Sequence, residues 1–128
     1  MRKVIDAFPN VQVVNCHLGG ISREGWQERA LLSKPPRGWL DLAAVPLMAE
    51  RGEEYPYPRA QELVRWAVDT FGADRIMWGT DYPPVLRTAT YVQLLDWVRK
   101  HCSFLTAEQR AAILGGTAER FLATIDAS

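Results

Sequence analysis

Three short apolar runs, each cut off by glycine or proline, recur along the chain with helical patterns between them. They are Val11-Gln12-Val13-Val14-Asn15-Cys16, Trp39-Leu40-Asp41-Leu42-Ala43-Ala44-Val45 and Ile76-Met77-Trp78. Runs this short and this rich in β-branched and aromatic residues predict strands. Residues 1–8 read as the end of a helix, closed by Pro9-Asn10. Ser22 is placed to cap a helix running to about Leu32, with Ile21 and Trp26 stapled around the cap. Pro58 suits the first turn of another helix, whose stripe of Leu63, Val64, Ala67, Val68 and Phe71 ends at Gly72. Thr90 with Gln93, and Thr106 with Gln109, have capping-box spacing. The first opens a helix with Tyr91, Leu94, Leu95 and Val98 inside. The second opens a helix to Leu114, which Gly115-Gly116 should break before Thr117 restarts a last one with Phe121, Leu122 and Ile125 inside. Strands alternating with helices of this length imply parallel strands joined by right-handed crossovers, an α/β fold.

Length and charge narrow the field of functions. A chain of 128 residues with 48% apolar content predicts one globular domain, residues 1–128. Fifteen basic residues balance fifteen acidic ones, which leaves no footprint for nucleic acid or an anionic membrane surface. No apolar run is long enough to cross a bilayer. Asp6 and Pro9 interrupt the opening Met1-Arg2-Lys3 before a signal-peptide core develops, so no secretion signal is read. Cys16 and Cys102 have no CxxC spacing, which fits a reducing, cytoplasmic setting.

In parallel sheets the ligand site lies beyond the carboxyl ends of the strands. His17 follows the first predicted strand, just before the flexible Gly19-Gly20. Asp81 follows the third, after Gly79 and before Tyr82-Pro83-Pro84. Both should therefore share one face, an imidazole titrating near neutrality opposite a carboxylate that can take a proton or ligate a hard cation. Trp78, beside Gly79, is a candidate lining for the pocket mouth. Residues 46–57 form the longest irregular stretch, and its Tyr55 and Tyr57 are candidates to close over a substrate. Cys16 should face the core, since neighbours along a strand point to opposite sides. Arg75 should pair with Asp74 or Asp69, and His101 should sit at a helix end.

These residues resemble a known family. Pro9-Asn10-Val11 through Cys16-His17-Leu18-Gly19-Gly20 is similar to a late-strand segment of the amidohydrolase-2 family, the metal-dependent TIM-barrel hydrolases and decarboxylases related to aminocarboxymuconate-semialdehyde decarboxylase. Phe71-Gly72-Ala73-Asp74-Arg75-Ile76-Met77-Trp78-Gly79-Thr80-Asp81-Tyr82-Pro83 resembles its last-strand signature, with Thr80 where serine is commoner. Ile113-Leu114-Gly115-Gly116-Thr117-Ala118-Glu119-Arg120-Phe121 resembles its closing segment, with Thr117 where asparagine is usual. The resemblance implies a partial TIM barrel, its three strands corresponding to the sixth to eighth, followed by C-terminal helices. It implies that Asp81 binds a divalent metal, zinc being the expected one, or takes a proton from its water. His17 would act as base or steady developing charge. The reaction implied is hydrolysis of a C–N, C–O or lactone bond, or decarboxylation, of a small-molecule substrate.

The departures matter as much. The family's metal site also needs a His-x-His pair and a further histidine, whereas this chain holds only two histidines, His17 and His101. A closed barrel takes roughly 250 residues. The chain therefore reads as the carboxyl-terminal part of an amidohydrolase with an incomplete metal site. The alternative is an inactive, association-prone half barrel that needs a missing N-terminal half, or further copies of itself, to complete it.

Overall fold

The computed structural model describes residues 2–34, 36–49 and 51–126. Three strands form one sheet, β1 (Val13–Asn15), β2 (Gly38–Asp41) and β3 (Ile76–Met77), in the order β1-β2-β3. Both pairings are parallel: Asn15 lies beside Leu40, Leu40 beside Ile76, and Asp41 beside Met77. Among the described residues the sheet does not close, so β1 and β3 are both edges. Helix α1 (Arg2–Ala7) precedes β1, α2 (Trp26–Leu31) lies between β1 and β2, and α3 (Pro58–Phe71) lies between β2 and β3. Helices α4 (Tyr91–Asp96), α5 (Ala107–Ala111) and α6 (Thr117–Asp126) follow.

Each strand is shorter than its apolar run. β2 stops at Asp41 because the next residues serve the carboxylate and the turn: Ala43 donates its N–H to Asp41 Oδ1 at 3.1 Å, and Ala44 is left-handed with φ 56°. Side chains alternate along a strand, so Leu40 and Ile76 face one way and Trp39 and Met77 the other. The first face packs on α3, whose Ala60, Leu63, Val64, Ala67 and Val68 are buried with Leu40 and Ile76 in one cluster. Each fully buried leucine or valine there contributes about 1.5–3 kcal/mol of transfer free energy. On the second face the Phe121 ring of α6 meets Trp39 edge-on at 5.5 Å. Arg75 lies over the same Trp39 ring at 4.7 Å and donates to the Pro36 carbonyl. The partner of Arg75 is therefore an indole and a carbonyl, not Asp74 or Asp69.

Both capping boxes form, with Thr90 and Gln93 opening α4 and Thr106 and Gln109 opening α5. Gly115-Gly116 do not break the following helix. They lie in a π turn (Ala112–Gly116) that carries α5 into α6. A π turn widens the helix and redirects its carbonyls. Here the Ile113 carbonyl accepts the N–H of Trp78 at 2.8 Å, so a backbone donor just past β3 is satisfied without a further strand. The buried Thr117 hydroxyl donates to the Ala73 carbonyl at 3.0 Å, anchoring the same junction.

Other expectations are corrected by packing. The second helix starts at Trp26 with the left-handed Gly25 at its cap, so Ser22 lies in the preceding turn. Tyr91 is exposed, and the buried side of α4 is completed by Trp97 beyond it, alongside Leu94 and Val98. Leu122 and Ile125 are also exposed, leaving Phe121 as the inward aromatic of α6.

Candidate functional site

Because the strands are parallel, their carboxyl ends share one side of the sheet. The chain does something costly just past each end. Among the described non-glycine residues, positive φ occurs at His17, Leu18, Ala44, Tyr57 and Asp81. All but Tyr57 lie in the turns just past a strand end. A left-handed backbone costs such residues about 1–3 kcal/mol each, and it persists where surrounding contacts fix it.

Asp41 supplies much of that fixing. Its Oδ1 accepts the backbone N–H of His17 at 2.8 Å and that of Ala43 at 3.1 Å, tying the end of β2 to the chain leaving β1. The Cys16 thiol also hydrogen-bonds this carboxylate. Cys16 is exposed as a residue, contrary to the core position expected from strand alternation. The left-handed turn at His17 ends the alternation, so both residues reach the rim. Burial of the sulfur, then the hydrogen bond to Asp41, then the charges of Asp41 and Asp81, push the Cys16 thiol up to about 11. Asp81, past β3, is the last of these influences on a thiol that stands past β1.

The His17 ring is half-buried, and its Nδ1 lies 2.7 Å from the Ala43 carbonyl oxygen. A carbonyl can only accept, so Nδ1 carries the proton, and Nε2 is the nitrogen left to exchange one. Asp81 is exposed, and its carboxylate has no hydrogen-bond partner among the described residues. The two carboxylates thus differ in kind: Asp41 is committed to backbone donors and Asp81 is free.

A cavity of about 370 Å³ opens beside His17, lined also by Asn15, Cys16, Ser22, Arg23 and Arg29. A second, of about 300 Å³, lies between Arg51, Glu53 and Arg87 in the segments after β2 and β3. Asp81 lines neither. The three aromatic candidates also stand elsewhere. Tyr57 is buried and its hydroxyl donates to the Thr88 carbonyl at 3.1 Å, so it braces the loop instead of presenting a surface. Tyr55 stacks edge-on against Tyr57 at 5.7 Å and against His101 at 4.9 Å. Trp78 donates its indole N–H to the Leu94 carbonyl at 3.3 Å and meets Tyr91 edge-on at 5.5 Å, which makes it a brace between β3 and α4. Asp41 is the residue that sequence reasoning passes over. Its one signal is that it stands as the lone acid in the second apolar run.

The structure is thus an open parallel α/β sheet with an imidazole and two carboxylates just past its strand ends. The chain belongs to the amidohydrolase family, whose sequence profile matches residues 1–124. It is similar to an L-fucono-1,5-lactonase of Burkholderia ambifaria, 38% identical over 80 residues that cover 59% of this chain and 27% of that enzyme. It is also similar to an L-fucono-1,5-lactonase of Burkholderia multivorans, 42% identical over 55 residues, 42% of this chain and 19% of that enzyme. An amidohydrolase from Burkholderia multivorans, solved with bound zinc, matches with a TM-score of 0.79 at 27% identity, over 95% of this chain and 47% of that one. A second structure of such an amidohydrolase, with bound HEPES, gives 0.71 at 26% identity and covers 49% of its chain. The chain thus spans about half the length of these solved relatives, and the matched stretch spans about a quarter or less of the lactonases.

Among the described residues no three His, Cys, Asp or Glu side chains gather closely enough to hold a metal. A zinc ion takes typically three protein ligands plus water. Asp81 and the free nitrogen of His17 fall short of that set, and Asp41 is already engaged, so these residues alone do not fit the ion. No helix among the described residues is long and apolar enough to cross a membrane.

Proposed function

We propose that this chain forms part of the active-site rim of a lactone-hydrolysing amidohydrolase acting on a small sugar-acid lactone. One observation carries the reading. Asp81 is held left-handed with its carboxylate unpartnered, on the rim where His17 is pinned through Nδ1 and keeps Nε2 free. The similarity to L-fucono-1,5-lactonases favours ester-bond hydrolysis over decarboxylation.

The chemistry then divides between two groups. Water attacks the lactone carbonyl carbon while Asp81 accepts one of its protons. His17, when it has also taken up a proton on Nε2, donates from there toward the carbonyl oxygen as negative charge develops. The ring C–O bond breaks, the proton on Asp81 passes to the departing alkoxide, and a hydroxy acid leaves. Metal binding at Asp81 is supported by the zinc-bound relative, but it requires donors beyond those gathered among the described residues.

The test is proton release from L-fucono-1,5-lactone, followed with a pH indicator and corrected for spontaneous opening. The purified chain should exceed the background, and Asp81→Asn and His17→Ala should each lower turnover by about 10²–10⁴-fold. Variants as active as the parent would end the proposal.

A second reading is favoured by the open strand edges and the absence of a metal cage among the described residues. On it, the chain works only with further polypeptide, from another chain or from copies of itself, because uncovered edges pair with other strands. It predicts less than one equivalent of tightly bound zinc by elemental analysis and assembly in size-exclusion chromatography with light scattering. A monomer carrying one zinc would sink it.

A further inference from the structure

The turn that carries His17 is strained well beyond that residue. His17, Leu18, Gly19 and Gly20 all have positive φ, at 54°, 51°, 88° and 77°. Left-handed backbone in consecutive L-residues is not self-sustaining. Something outside the turn must hold it.

The Asp41 carboxylate holds its first residue through the His17 N–H, and one guanidinium holds the rest. Arg29, on α2, donates from Nε to the Gly19 carbonyl at 2.9 Å and from Nη2 to the Gly20 and Arg23 carbonyls at 3.1 Å each. Its Nη1 donates to the Glu24 carbonyl at 2.7 Å. Four of its five N–H groups are thus spent on backbone oxygens of the loop that follows β1. The main chain of Arg29 is tied to the same strand, since Asn15 Nδ2 donates to its carbonyl at 2.9 Å. Contact is close as well: a β-carbon on Gly19 would lie 2.9 Å from the Ala30 nitrogen and 3.0 Å from the Trp26 oxygen. No carboxylate forms an ion pair with Arg29 among the described residues. Its charge is directed at carbonyl dipoles, and its planar fork reaches several at once, which a single ammonium cannot do.

We propose that Arg29 is a positioning residue for the His17 imidazole, acting on the glycine side of the turn as Asp41 acts on the His17 N–H. It fixes the left-handed turn that seats Nδ1 on the Ala43 carbonyl and leaves Nε2 toward the rim. A catalytic consequence rests on the role given to His17 above, but the positioning itself does not. The conservative change Arg29→Lys should fail for the same reason that Arg29→Gln fails.

The experiment reads the ring directly in the full chain by long-range ¹⁵N–¹H NMR of the imidazoles. In the parent, His17 should show one neutral tautomer, protonated at Nδ1. In Arg29→Lys and Arg29→Gln the two tautomers should mix, and added guanidinium should restore the single form in Arg29→Ala. The control Arg59→Gln, at an exposed pair with Glu62, should leave it unchanged. Where lactone turnover is measurable, kcat should fall about 10–100-fold with KM little altered, as for groups that orient a reactive residue. Should the variants unfold, the parent still decides the matter: its Arg29 Nε–H should exchange slowly with water. A folded Arg29→Gln with an unchanged His17 tautomer, or free exchange at that Nε–H in the parent, would overturn the proposal. Absence of lactone turnover with the tautomer change present would sink the hydrolytic reading and leave the positioning role standing.

Discussion

The rim geometry can be measured without any substrate, through Cys16. Its thiol is raised from an ordinary 9.0 to about 11, first by burial, then by the hydrogen bond to Asp41, then by the charges of Asp41 and Asp81. Replacing Asp41 with asparagine removes its charge and weakens its hydrogen bond, and leaves burial and the charge of Asp81. The alkylation midpoint of Cys16 should therefore move down from about 11 without reaching 9.0. Each pH unit by which the midpoint falls gives about tenfold more thiolate at a fixed pH well below it. Each thiolate is then less nucleophilic, with a Brønsted slope of about 0.4–0.5, so the net gain is roughly threefold for every pH unit. A complete return to the ordinary value would give only about tenfold, which bounds the effect. Asp81→Asn removes the last-ranked cause and should give a smaller rise of the same sign. The assay is the pH–rate profile of iodoacetamide labelling, resolved by mass spectrometry of the two cysteine peptides. Cys102 serves as the silent reference, since burial pushes its thiol up to about 12. The Asp81 result carries the structural weight, because it tests whether the acid after β3 lies near the end of β1. A Cys16 profile indifferent to Asp81→Asn would refute the shared rim, and with it the pairing of His17 and Asp81 in one site.

Alkaline stability should fall in a defined window. Cys102 holds its proton in the folded chain up to about pH 12 and loses it near 9.0 when unfolded, so above 9.0 the folded state binds more protons. The contribution of Cys102 to stability is then fully present below about pH 9 and declines by about 1.4 kcal/mol per pH unit up to about pH 12, with Cys16 adding to the slope below about pH 11. Urea titrations across that range should show the slope, and Cys102→Ala should reduce it. At Gly38 on β2, a β-carbon would overlap the Ser33 carbonyl, a backbone group that cannot swing aside. Gly38→Ala should cost more than about 3 kcal/mol, the range of strong overpacking, with loss of cooperative unfolding in circular dichroism as the readout.

What the sequence disclosed was local. The capping boxes at Thr90 and Thr106 depend on residues three apart, and both form. Gly72 marks where α3 ends because backbone sterics act at the residue itself. The placing of His17 and Asp81 beyond strand ends follows from the parallel order alone. What stays hidden depends on distant partners. Asp41 meets His17 across 24 residues, and Thr117 meets Ala73 across 44. Gly115-Gly116 looks like a stop because nothing nearby in the sequence says that Trp78 will use the Ile113 carbonyl. The surroundings of two aromatic candidates are hidden for a related reason. Tyr57 and Trp78 have polar tips that suit a ligand, and in the fold those tips are used by the Thr88 and Leu94 carbonyls.

Two carboxylates on one rim pose the question of why the chain carries both, and their environments give a physical answer. Asp41 accepts two backbone N–H groups on Oδ1 and has the Cys16 thiol beside its carboxylate, so its charge serves to hold the turn at His17. Asp81 has none of these and is exposed, so its charge is available to a proton or a cation. Charge-assisted hydrogen bonds of the Asp41 kind contribute about 1.5–3 kcal/mol each, whereas an unpartnered exposed carboxylate contributes nothing comparable. The same chemical change, aspartate to asparagine, must then act on different quantities at the two positions. At Asp41 it weakens the scaffold and frees the Cys16 thiol. At Asp81 it leaves the scaffold intact and removes an exposed, uncommitted carboxylate. A chain in which both changes acted alike, on stability or on turnover, would not have the division of labour that this rim implies.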